Sequence, residues 1–141
     1  MPPKKERKDP AYLREQGNRE AQTKKVRKIT FSLIQLIVNT EGQTLQEWEE
    51  LGLLSDMNER LQFVGQFSCQ EAIQKQYLKP YTKVSFPPDS EFTQPKHISS
   101  VDWTVMHITS KSKEVVVGYI EDDTFYIVFL DKDHKFWPMT K

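Results

Sequence analysis

The sequence predicts an α+β domain, on three observations. Apolar, β-branched and aromatic runs crowd the last third of the chain, two capping-box signatures open helical stretches in its middle, and a strongly basic segment precedes both. The layout they imply is a basic N-terminal helix, one strand, a short helical layer and a C-terminal antiparallel meander of three strands. In 141 residues this is a single α+β domain over 29–138, preceded by a basic tail over 1–9 and a basic helix over 10–28.

The tail, MPPKKERKD, has two prolines and dense charge, too little apolar surface to offset the entropy of ordering it, and is predicted to be disordered. From Pro10 the chain is rich in helix formers, with Asp9 placed to cap and Pro10 suited to a first helical turn. Residues 1–28 hold ten Lys and Arg against four Asp and Glu, a balance of +6, so the nominal zero net charge leaves −6 on residues 29–141. A basic arm on an acidic body is drawn to polyanions or to acidic protein surfaces. Arg14, Arg19, Lys24, Lys25, Arg27 and Lys28 are the residues expected to neutralise nucleic-acid phosphates. The competing reading is a solvated helix laced by Glu15–Arg19 and Glu20–Lys24 pairs.

Residues 29–38, ITFSLIQLIV, begin with strand alternation and end apolar on both sides; a helix over the same residues is the alternative, and strand is preferred. Thr44 with Glu47, followed by Trp48, Leu51, Leu54 and Met57, predicts two short helices near 45–52 and 56–66, divided at Gly52 and Ser55-Asp56. Ser68 with Glu71 starts a third that Pro80 stops. Residues 80–100, punctuated by four prolines, read as a long connection with a short edge strand at Val84–Phe86. Strands follow at 103–108, 114–120 and 124–130, the last two joined by the acidic turn Glu121-Asp122-Asp123. Because these two strands are nearly continuous in apolar residues, both of their faces must be covered. Helices on one face, and further protein or a second copy of the chain on the other, would do so; the second copy would dock through Val115, Val117, Tyr119, Phe125, Ile127, Phe129 and Trp137, making a homodimer.

The chemistry-bearing residues are few. Asp131, Asp133 and His134, with His97, His107 or Glu121 to help, are weak candidates for a divalent metal, against the plainer reading of a solvated turn. His134, His107 and Tyr126 could act as acid and base in a metal-independent ribonuclease, but the three C-terminal strands carry no Lys or Arg to stabilise a developing phosphorane charge. Cys69, at a helix start, reads as a small hydrophobe rather than a nucleophile. With a single cysteine and no phosphate-cradling glycine loop, no cofactor is expected. No apolar run approaches the length of a membrane span, so the expectation is a cytoplasmic protein with no membrane partner.

The segment GYIEDDTFYIVFLDKDHKFWP, through Gly118, Asp122, Phe125, Tyr126, Leu130, Asp131, His134 and Pro138, resembles the C-terminus of a group of small uncharacterised bacterial proteins. The Lys28-Ile29-Thr30-Phe31-Ser32 stretch is similar to their first strand as well. The resemblance implies a bacterial origin and one α+β domain, and transfers no activity. The leading functional expectation is a non-enzymatic accessory protein that binds nucleic acid or a nucleoprotein complex, in a bacterial defence or mobile-element setting. The alternatives are a small toxin-type endoribonuclease and a protein-binding inhibitor or adaptor acting through the acidic body.

Overall fold

The computed structural model describes residues 27–36, 42–81, 86–110 and 112–137. The tail over 1–9, nearly all of the basic helix over 10–28, with Arg14, Arg19, Lys24 and Lys25, and the Val84–Ser85 part of the expected edge strand lie outside the described residues. The described elements are β1 (Thr30–Ser32), α1 (Leu45–Glu50), α2 (Leu53–Val64), α3 (Cys69–Gln74), β2 (Lys79–Pro80), β3 (Trp103–His107), β4 (Val115–Glu121) and β5 (Thr124–Asp131). They form a mixed α+β fold whose single five-stranded sheet runs β1-β5-β4-β3-β2. The meander β3–β4–β5 is antiparallel, as its short connections require, and β2 adds antiparallel to β3. β1 joins the other edge, parallel to β5.

Both capping boxes form. Thr44 Oγ1 accepts from the Glu47 amide and Glu47 Oε1 from the Thr44 amide, at 3.1 and 2.8 Å. Ser68 and Glu71 repeat the exchange at 3.1 and 2.9 Å. Each box satisfies two of the amides that a helix start leaves without intrahelical partners. The third helix stops at Gln74, six residues short of the expected Pro80. Gln76 adopts a left-handed φ of 63°, and the Tyr77 and Leu78 amides both donate to the Ala72 carbonyl. That is a helix-ending turn made without glycine. The residue before Pro80 is then driven to extended backbone, which starts β2.

The first strand is also shorter than its sequence pattern. It ends at Ser32, whose hydroxyl accepts from the Ile34 amide at 3.2 Å and turns the chain out of the sheet. Ile29 is buried and Phe31 packs on the same core, whereas Ile34 is 80% exposed.

Each sheet face has its own core. On the helical face Trp48, Met57, Val64 and Ala72 meet Met106, Val116, Phe125, Ile127 and Leu130. On the opposite face Trp103, Val105, Val115, Val117, Val128 and Phe129 lie under Ile98, Phe86, Phe92 and Phe136. The Pro-rich connection is therefore a covering layer: it has no regular structure but delivers an apolar side chain every few residues. Trp103 is its centre, with the rings of Phe86, Phe136 and Phe129 at 5.2, 5.8 and 6.2 Å. This removes the basis for the expected dimer. Val115, Val117, Phe125, Ile127 and Phe129 are at most 1% exposed and Tyr119 7% within one chain, while Trp137 stacks on Tyr81 at 4.6 Å.

A register shift in the β4–β5 ladder explains the unbroken apolar run. Val117 pairs with Phe129 but the next residue, Gly118, pairs with Ile127, so β5 carries one extra residue at Val128. The bulge lets Phe125, Ile127 and Leu130 all face the helices although 127 and 130 differ by an odd number, and turns both Val128 and Phe129 to the other core. Gly118 sits where the strands approach most closely. A Cβ there would lie 2.8 Å from the Tyr126 carbonyl carbon and deep inside contact of its oxygen.

Candidate functional site

A cleft of about 450 Å³ opens ahead of the start of β2, where the edge of β3 is uncovered; its walls are Arg60, Lys75, Gln76, Tyr77, Lys79, His107, Thr109, Ser110 and Ser112. Each element contributes for a local reason. α2 turns Met57 and Val64 into the core, which puts Arg60, between them on the helix, at the margin of that buried stripe. The left-handed turn at Gln76 ends α3 and sends Tyr77 and Lys79 alongside the end of β3. The β3–β4 connection is closed by hydroxyls: Thr109 Oγ1 bonds to Ser112 Oγ and accepts from the Ser112 amide.

The cleft is positive and has no carboxylate in its walls. Among the described residues Arg60, Lys75 and Lys79 take part in no ion pair. The Arg60 guanidinium lies over the rings of Phe63 and Tyr77, 5.3 and 5.1 Å from their centroids, which fixes its plane. Its Nε is buried with no acceptor among the described residues. Burial holds the His107 imidazole below its ordinary pKa, and the electrostatic influence of Lys79, His134 and Arg60 acts the same way, against the bond to Ser112. His107 is accordingly neutral at pH 7, with its Nδ1 3.1 Å from the Ser112 carbonyl oxygen. Donating there, Nδ1 leaves the lone pair on Nε2.

The residues singled out in the sequence are distributed as follows. His107 and His134 come together, their ring centroids 5.5 Å apart, and His134 Nδ1 lies 2.9 Å from the Trp137 carbonyl oxygen. Tyr126 is separated from them: it stacks on Tyr119 toward the other end of β5. Asp131 is 1% exposed and accepts from the Lys135 and Phe136 amides at 2.9 and 2.8 Å. Burial raises its pKa, opposed by those two donors. Asp133 pairs with Lys132 and Lys113 at 3.1 and 3.6 Å, and its hydrogen bond from Lys132 is the largest influence lowering its pKa. His97 bonds instead to Gln35 at 3.2 Å.

No three His, Cys, Asp or Glu side chains converge on a metal position among the described residues. The Asp131–His134 turn is a clamp that seats Phe136, fully buried, in the second core. Arg27 forms an exposed pair with Asp123 at 3.7 Å, of small worth in solvent, and Lys28 is exposed. Burial, reinforced by Asp123, raises the Cys69 pKa, the opposite of what a nucleophilic thiolate needs.

Sequence reasoning missed Arg60, Lys75 and Lys79. Their signal is the cation–aromatic spacing Arg60-x-x-Phe63 on a helix and Lys75-x-Tyr77-x-Lys79 in the segment that leaves α3, outside the meander where a charge stabiliser was sought. No helix among the described residues is long and apolar enough to cross a membrane. Compared with family models, curated proteins and solved structures, the chain matches none.

Proposed function

We propose that this protein binds nucleic acid, free or carried in a nucleoprotein complex, as a non-enzymatic accessory protein, and that the contact on its α+β domain is the Arg60–Lys75–Lys79 cleft. One observation carries the reading: three cations free of ion pairs among the described residues line one cleft without a carboxylate. A phosphodiester backbone supplies the missing anions. Fluorescence anisotropy of a labelled oligonucleotide across a salt series tests it. Lys75→Gln and Lys79→Gln in the full chain should each weaken binding and make the slope of log affinity against log salt shallower, by about 0.7 to 0.9 for each phosphate no longer neutralised. Affinity and slope unchanged in both variants would refute the cleft as the binding surface.

The toxin-type ribonuclease reading is favoured by a separate observation, the His107–His134 pair beside Arg60 and Lys79. Two imidazoles whose Nδ1 atoms bond to carbonyl oxygens present Nε2 for acid–base work, and the neighbouring cations are the charge stabilisers that the meander itself lacks. It requires turnover of RNA to cyclic-phosphate ends, abolished in both His107→Ala and His134→Ala. Absence of turnover in the wild type leaves binding alone.

A further inference from the structure

Arg60 also forms the wall of a second, smaller pocket of about 180 Å³, lined by Asp56, Glu59, Phe63, Ile108 and Thr109. The two depressions differ in chemistry. The first offers cations and hydroxyls; the second offers an aromatic ring and two carboxylates, neither of them in an ion pair among the described residues. Phe63 is 37% exposed although it packs edge-on against Phe67 and Tyr77, at 5.5 and 5.1 Å. A surface phenylalanine held rigidly by two other rings offers a stacking platform at little entropic cost.

We infer that the two pockets together hold one nucleotide unit of an unpaired strand, its phosphate in the cationic cleft on Arg60 and Lys79 and its base against Phe63, with Asp56 and Glu59 accepting from an exocyclic amino group. This rests on the proposed nucleic-acid function and narrows it to a single-stranded ligand. Three points favour it. Arg60 is shared by both pockets and takes part in no ion pair among the described residues, so an anion in the cleft would give its guanidinium a counter-charge. Carboxylates repel phosphate but accept hydrogen bonds from the amino groups of cytosine, adenine and guanine, so the acidic pocket suits a base edge and not a backbone. A duplex can present an amino edge in its groove, but it keeps its bases stacked on one another and has no free base face to offer Phe63.

The test is anisotropy with the full chain at one salt concentration, using labelled 12-nucleotide oligo(dC), oligo(dT) and a 12-base-pair duplex, with CMP as competitor. Oligo(dC) should bind at least about fivefold more tightly than oligo(dT), which has no amino group. Phe63→Ala should weaken the oligo(dC) complex by about fivefold to a hundredfold, the range that stacking on one ring supplies, and leave the duplex unaffected. Phe63→Leu, which keeps apolar bulk for folding but removes the ring, should weaken it likewise. If wild-type protein binds strand and duplex equally, Lys79→Gln weakens both and neither Phe63 variant changes either, the inference is overturned and the cleft reading stands. If wild-type protein binds no oligonucleotide, both are overturned. CMP binding as tightly as oligo(dC) would make the ligand a free nucleotide and overturn the strand.

Discussion

Replacing Gly118 by alanine adds one methyl group at the tightest point of the sheet. Its carbon would stand 2.8 Å from the Tyr126 carbonyl carbon and 3.1 Å from Ile127 Cα, where non-bonded carbons prefer about 3.5 to 4.0 Å. Every obstructing atom is backbone, so no side chain can swing aside. β4 and β5 must part locally or the bulge at Val128 must move. Parting them by even half an ångström breaks the ladder bonds flanking Gly118, at about 1 kcal/mol each, and loosens Val117 and Phe129, which pair across the bulge and pack in the second core. Moving the bulge sends Ile127 or Val128 to the wrong face.

The cost should exceed about 3 kcal/mol, among the larger effects of single substitutions and a sizeable share of a domain's total of about 5–15 kcal/mol. Urea unfolding followed by tryptophan fluorescence measures it. Gly52→Ala is the control: Gly52 has a φ of 76° but nothing within 4 Å of an added Cβ, so it bears only the left-handed backbone penalty of about 1–2 kcal/mol. A Gly118→Ala cost no greater than that of Gly52→Ala would refute the close-approach argument.

Asp131→Asn leaves one of the Lys135 and Phe136 amides facing an NH₂ whichever way the amide is turned. With the site buried it should cost about 1–3 kcal/mol in urea unfolding, and an unchanged midpoint would remove the clamp's role. His107 gives a pH signature of defined sign. Because its pKa is lowered in the folded protein, the unfolded chain binds more protons between the folded value and about 6.5. Stability should therefore fall as pH drops through that window, and the wild type should lose more than His107→Gln; parallel stability–pH curves would contradict it. A bound phosphate favours the protonated ring, so oligonucleotide affinity should rise from pH 8 to pH 6 in the wild type and less in His107→Gln.

Local chemistry determined the parts of this protein that were legible in its sequence. The capping boxes at Thr44 and Ser68 and the hairpin turn at Asp122–Asp123 act over a few residues, and they placed α1, α3 and the β4–β5 hairpin close to where they lie. Continuous apolar runs determined that β4 and β5 are covered on both faces. What covers the second face was decided by tertiary structure, since the residues responsible, Phe86, Phe92, Ile98 and Phe136, are spaced without period through irregular chain. The same holds for β1. Its parallel pairing to β5 depends on the Ile29 amide reaching the Phe67 carbonyl and the Thr30 amide that of Asp123, bonds between residues far apart in sequence.

The site divides in the same way. Charge counting located a basic arm, because net charge is a sum over sequence. The cleft at Arg60, Lys75 and Lys79 was invisible to that sum: its cations come from α2, the end of α3 and β2, and only folding sets them around the open edge of β3 while burying Asp131, the most conspicuous carboxylate of the C-terminal motif, as a backbone clamp.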